Sequence, residues 1–308
     1  MRASSTLEGR FAQIHVDAAR NATDDFNPFH DPHHWQRIVA NPFAGPLVLG
    51  FQLEALIEYL WQTHPARDED AAWAAAHGLH WTNWDLSFAG ALCPGEAFTA
   101  EVRAAARRET PEPGLSRRLL IRKADSLVLA GWLRQSAEAL YEPGLSCAPF
   151  PGPLRAQPDR CQRGPWFLKR KFASVGHAKN FLAGALADQA LWFDELAPRS
   201  VFPQTYAAAL LSCALLEQAT AAGHDFCAEP LVYTAHHLSI LAPAVAGLRS
   251  NDALHLLVHG PELLAAGSGL GIGIEQTRYA GLVYAGTPER LLLRGELLLA
   301  PLSAITGG

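Results

Sequence analysis

The chain has no cysteine pairing pattern, no excess of positive charge and no long uninterrupted apolar run. Its five cysteines, Cys93, Cys147, Cys161, Cys213 and Cys227, are odd in number and share no CxxC spacing. That excludes a disulfide framework or a cysteine zinc knuckle, and leaves reduced, mostly structural thiols. The formal charge of −5 excludes the basic face that nucleic-acid binding requires. No stretch of roughly 18 residues is free of polar interruption, so no membrane span is expected. The first eight residues, Met1 to Glu8, contain no apolar signal core, and the chain reads as cytoplasmic. The glycine-rich run Gly267-Ser268-Gly269-Leu270-Gly271-Ile272-Gly273 has no P-loop lysine and no strand–turn–helix setting. It reads as a strand or bulge rather than a nucleotide loop.

What is present is 308 residues, 49% hydrophobic, enough for two ordinary domains. A cluster of proline and glycine over residues 142–165 reads as a linker. It separates an N-terminal unit, 1–141, from a C-terminal unit, 166–308. Each unit carries one helix that is apolar almost all round, which marks it as buried. The first runs over 45–62, opened by Pro46, with Glu54 and Glu58 as a single polar strip. The second is opened by Pro203 and stopped by Gly223. Strands are expected at 79–89, 97–102 and two within 117–141, then at 231–240, 252–259, 262–276 and 290–300. Asp85-Leu86-Ser87-Phe88 is echoed by His237-Leu238-Ser239-Ile240, consistent with a diverged duplication. A buried helix covered by an antiparallel sheet is an α+β unit. Two such units can join their sheets edge to edge and so protect both edges.

The chemistry gathers in Asp24-Asp25-Phe26-Asn27-Pro28-Phe29-His30-Asp31. Asn-Pro resists helix, so the segment is expected to turn and present Asp25 and His30 to one space. Asp25 alone would fit a turn or cap, and His30 alone a structural imidazole. Together they place an acid–base pair just before a helix start.

This segment, followed by Ala44-Gly45-Pro46-Leu47-Val48-Leu49-Gly50, resembles the signature of MaoC-like (R)-specific enoyl-thioester hydratases and dehydratases, which have the hot-dog fold. Leu86-Ser87-Phe88 with Cys93-Pro94-Gly95-Glu96 resembles their Phe-x-x-Pro-Val-x-x-Gly-Asp strand. The likeness covers about residues 10–140. It implies a double hot-dog protein acting as a hydro-lyase on 3-hydroxyacyl and 2-enoyl thioesters in fatty acid or polyketide metabolism. The substrate would be carried on coenzyme A or on acyl carrier protein phosphopantetheine, with no metal and no redox cofactor. By the resemblance, Asp25 and His30 are the catalytic pair, Asn27 organises their turn, and the Gly50 N–H binds the thioester oxygen.

Three positions depart from the pattern. Leu49 stands where the family usually has histidine, which removes a polar group from the thioester site. Phe51 replaces a methionine-like residue and is expected to narrow or reshape the acyl channel. Cys93 differs at the position before proline. A non-catalytic acyl-binding or assembly protein and a hot-dog thioesterase therefore stay open as alternatives.

Elsewhere the readings are plainer. His30, His33 and His34 read as an exposed loop rather than a metal site; His236 and His237 lie in an expected strand, where neighbours face opposite sides and form no metal pair, and His237 reads as a sheet-surface histidine. Lys169-Arg170-Lys171 reads as a solvated run, with carrier phosphates as its other use. Aligning Pro46 with Pro203 sets Leu182 opposite Asp25 and Ala187 opposite His30. The second unit is thus expected to be catalytically empty, a pocket wall and partner surface. Homodimerisation is left open.

Overall fold

The computed structural model describes residues 4–141, 150–197, 199–265 and 274–306. The N-terminal unit contains strands β1 (Ser5–Arg10), β2 (Trp81–Phe88), β3 (Ala97–Val102), β4 (Gly114–Lys123) and β5 (Ser126–Ser136). Its helices are α1 (Gln13–Thr23), α2 (Gly50–Gln62) and α3 (Arg67–Ala76). The C-terminal unit contains β6 (Trp166–Phe172), β7 (Leu231–Leu241), β8 (Ala253–Leu264), β9 (Gln276–Ala285) and β10 (Arg290–Pro301). Its main helices are α4 (Val175–Gly184) and α5 (Gln204–Ala221).

The main strands form one antiparallel sheet in the order β1-β3-β4-β5-β2-β7-β10-β9-β8-β6. The second five mirror the first five, so the sheet has a pseudo-two-fold axis at the β2–β7 seam. There Asp85 pairs with His237 and Leu86 with His236. The echo noted between those two segments is thus a pairing of equivalent strands. Gly131 on β5 and Gly295 on β10 flank the seam alike. A Cβ at Gly131 would lie 2.1 Å from the Asp85 carbonyl oxygen, and one at Gly295 2.2 Å from that of His237. Neither position tolerates a side chain. This is the double hot-dog fold.

Helices α2 and α5 pack against each other inside the curved sheet. Their apolar residues join strands of both units in a continuous core. Helix α5 starts after Pro203 as expected, and Gly223 follows its end with φ of 91°. Helix α2 starts four residues later than Pro46 suggests. Leu47 N–H donates to the Phe29 carbonyl and Val48 N–H to that of Leu92 (2.7 and 2.9 Å), which holds the segment extended. Helix α2 is buried as expected, and its polar strip, Glu54 and Glu58, is buried with it.

Other expectations change. Arg160–Arg163, inside the expected linker, is an edge strand paired with β6. The separate strands at 252–259 and 262–276 are replaced by one bulged strand, β8, and by β9, which the alternation of that region did not reveal. Residues 142–149 and the glycine-rich run 267–273 lie outside the described residues. No helix among the described residues is long and apolar enough to cross a membrane.

Candidate active site

Helix α1 ends at Asp24, whose left-handed backbone (φ 53°) turns the chain sharply. Two nested side-chain caps follow. Asp25 Oδ1 accepts the Asn27 N–H (3.0 Å), and Asn27 Oδ1 accepts the Phe29 N–H (3.1 Å). Asn27 thereby caps the short 3-10 turn Pro28–His30, with proline at its first position. An Arg20–Asp31 ion pair at 2.7 Å closes the loop against α1. The sequence motif is thus a self-contained turn, as its residue types suggest.

His30 is buried and strapped to the approach of α2: its Nδ1 lies 2.8 Å from the Leu47 carbonyl oxygen. A carbonyl only accepts, so Nδ1 carries a proton and Nε2 is the ring nitrogen left for chemistry. Burial lowers the His30 pKa below its ordinary value, against the upward pull of the Asp25 carboxylate and the Leu47 carbonyl, while Arg20 also lowers it. The imidazole is therefore neutral near pH 7, with a free lone pair on Nε2.

His30, Asn27 and Gly50 line one cavity of 220 Å³. Its other walls are mostly apolar, including Leu53, Phe88, Leu92 and Val232. Gly50 N–H and Phe51 N–H, the first of α2, make no hydrogen bond among the described residues. Such first-turn donors sit at the positive end of the helix dipole. A Cβ on Gly50 would stand 3.0 Å from two ring carbons of Phe88, so glycine keeps this approach open.

Leu49 and Phe51 are buried but do not line the cavity. The ring that borders it beside Gly50 is Phe88. Phe51 instead stacks on His236, with ring centroids 4.4 Å apart. Asp25 is also buried off the cavity wall, and acts on it electrostatically through His30 and by hydrogen bonds.

The second unit contributes polar groups here, which the reading of it as an empty wall missed. Ser212 of α5 donates to Asp25 Oδ2 at 2.7 Å. Its single hydrogen is then committed, so Tyr233 of β7 donates to Ser212 Oγ at 3.0 Å. Burial first, then the Asp25 charge, push the Tyr233 phenol far above its ordinary pKa and keep that donor protonated. Tyr233 lines the cavity. The available signal was Ser212 itself, a lone hydroxyl amid Ala207–Leu216 of a helix buried all round.

His236 and His237 are both buried, so His237 is not the sheet-surface residue expected. His236 Nδ1 lies 2.5 Å from Glu54 Oε1, and its ring is edge-on to Phe88 and Tyr233. His237 faces Asp85 across the seam at 3.4 Å. Among the described residues no cluster of three His, Cys, Asp or Glu is placed to hold a metal. Burial pushes the Cys213 thiol up to about 11, which makes it a poor nucleophile. The basic run is neither free nor simply solvated: Lys169 pairs with Glu217, Arg170 with Asp159 and Lys171 with Asp24.

The same elements recur in the second unit with different side chains. The 3-10 turn Gln189–Leu191 matches Pro28–His30, and Asp188 caps it as Asn27 caps the first. Leu191, not Ala187, therefore stands opposite His30. A larger cavity of 960 Å³ lies at this second helix start, bordered by Leu191, Gln204 and Glu58. Glu58 already occupies the first N–H groups of α5, accepting from Gln204 N (2.8 Å), Thr205 N (2.9 Å) and Thr205 Oγ (2.6 Å).

No protein-family model and no curated protein matches the chain. Solved structures do match it along almost its full length. A conserved hypothetical protein of Mycobacterium tuberculosis, described as having a double hotdog fold, aligns with TM-score 0.60 and 13% identity over 98% of this chain and 96% of that one. A MaoC-like dehydratase from Phytophthora capsici aligns with TM-score 0.55 and 12% identity over 98% and 97%. The peroxisomal multifunctional enzyme type 2 of Drosophila melanogaster aligns with TM-score 0.55 and 11% identity over 96% of this chain and 48% of that enzyme. At these identities the likeness establishes the fold.

Proposed function

We propose that this chain is a cytoplasmic hydratase and dehydratase that interconverts 2-enoyl and 3-hydroxyacyl thioesters. The observation that carries this reading is a neutral, oriented His30 facing an apolar cavity that also holds the open N-terminus of α2. The thioester oxygen accepts from the Gly50 N–H, which stabilises the enolate as charge develops on it. His30 Nε2 takes a proton from water as the hydroxyl oxygen bonds to C3, and the resulting imidazolium returns that proton to C2. Water is consumed and no other reactant is needed. Delivery of both groups from one side makes the addition syn, and the reverse steps dehydrate. Asp25 stabilises the imidazolium and, held by Asn27 and Ser212, fixes the turn that aims it. Each such acid–base role is typically worth ~10²–10⁴-fold.

The carrier is coenzyme A or acyl carrier protein phosphopantetheine, and the chemistry calls on no metal or redox cofactor. Crotonyl-coenzyme A tests the reading directly, through loss of the conjugated absorbance. His30→Ala and Asp25→Asn should each abolish or nearly abolish that loss while retaining the native circular dichroism. Full activity in either variant overturns the assignment. Thiol release without hydration indicates a thioesterase, and saturable binding without turnover an acyl-binding protein.

A further inference from the structure

We propose that the second unit builds one lip of the entrance to this site, a short helix over Leu302–Thr306, and that Ile305 is the side chain along which the uncharged arm of an acyl thioester enters. The inference rests on the hydratase reading for the chemistry at His30 and deepens it by naming how substrate is admitted.

Exposure locates the open end of the cavity. His30, Val48, Leu53 and Leu92 line it and are buried. Of the other lining residues, Ala89, Gly90, Ile305 and Thr306 are the exposed ones. The entrance therefore carries the chain just beyond β2 from the first unit and the helix that follows β10 from the second.

That second lip is fixed in place. Pro301, the last residue of β10, pairs with Leu231 of β7, and the Leu302 N–H donates to the Pro230 carbonyl at 2.9 Å. Leu302 is buried in one apolar cluster with Phe29, Ile38 and Leu47. Phe29 adjoins His30, and Leu47 carries the carbonyl that holds His30 Nδ1. The lip is thus seated on the same residues that aim the imidazole.

Ile305 is 48% exposed. Single exposed apolar residues are ordinary on a protein surface. Ile305 differs in bordering a cavity whose described lining contains no Asp, Glu, Lys or Arg. A charged group entering there would lose its hydration and meet no partner. What passes the lip is therefore an uncharged stretch of ligand, while ionised groups stay outside. An acyl thioester on phosphopantetheine has such a stretch between its sulfur and its phosphate. Its passage covers Ile305 and takes that apolar surface out of water.

The test uses the intact chain, with KM and kcat measured on crotonyl-coenzyme A and calorimetric binding on butyryl-coenzyme A, which has no double bond to hydrate. Ile305→Asp should raise both KM and Kd at least about tenfold while kcat changes less than about threefold, because it puts an ionised group where the arm must pass. Ile305→Ala should raise both about threefold through lost apolar contact. Leu196→Asp is the control, since Leu196 is 98% exposed and does not line the cavity. An equal rise in that variant would mark general repulsion of the anionic carrier and overturn the proposal. So would an Ile305→Asp variant with the parent's KM and Kd, or one that loses kcat alone. If crotonyl-coenzyme A is not hydrated but butyryl-coenzyme A binds, the hydratase reading fails and the Kd series still decides the entrance. A parent protein that binds no butyryl-coenzyme A overturns the entrance as well.

Discussion

Ser212 and Glu58 stand at the same step of the two central helices, each eight residues beyond the first helical residue, and each reaches into the other unit. Ser212 donates to Asp25, whereas Glu58 accepts from the first N–H groups of α5. The short hydroxyl orients a carboxylate and leaves the start of α2 open. The long carboxylate fills the start of α5. One residue pair therefore accounts for a chain with two units and one candidate site.

Ser212→Ala should lower kcat by about 30-fold with little change in KM. It removes a hydrogen bond to a charged group worth about 2 kcal/mol and leaves the cavity wall in place. Steady-state kinetics on crotonyl-coenzyme A checks this, and a variant with unchanged kcat would remove Ser212 from the site.

Glu58→Ala should destabilise the protein by about 2–3 kcal/mol, because α5 loses its cap and Thr205 a partner. Glu58→Gln should cost less, since the amide oxygen still accepts. Denaturant midpoints give both values. Burial raises the Glu58 pKa above 4.5 despite the Thr205 and Gln204 bonds. The folded state then holds the proton more tightly, so this group's contribution weakens as pH rises from about 4.5 to the folded pKa. Glu58→Gln should abolish that slope; persistence of the slope would place it on another group.

The acid limb of kcat/KM should have its midpoint below 6.5. His30 must be neutral to accept a proton, and burial holds its pKa under that value. The linked effect on stability has the same direction. The unfolded chain binds the proton more readily, so stability falls as pH drops from 6.5 through the folded pKa. An acid limb centred above 6.5 would contradict the neutral-base role.

Gly50→Ala should reduce kcat/KM at least 100-fold while costing only about 1–2 kcal/mol of stability. The new methyl group would press on Phe88 at 3.0 Å and displace the ring or the helix start. Activity within threefold of the parent would show that close approach at Gly50 is not needed.

Much of this was legible in the chain. The Asp25-x-Asn27-Pro28-x-His30 turn is written in local chemistry: an acid, an amide and a proline each bond or restrict a neighbour two residues away. The two buried helices announce themselves by composition, and the strand alternation of the first half by its period. Helix α2 was misplaced at its start because bonds from Leu47 and Val48 to distant carbonyls overrode the proline signal. Strand β9 was missed because buried strands in a sheet's centre lose their alternation.

The sequence by itself determined the turn, the two central helices and the placing of Asp25 and His30 before one of them, since those depend on residues close along the chain. Only the tertiary structure decided that Ser212 holds Asp25, that His236 pairs with Glu54, and that Glu58 closes the second helix start. Those partners lie between 146 and 187 residues apart in the chain. They meet because equivalent strands pair at the seam and the two central helices pack side by side, and no local preference of either partner carries that information.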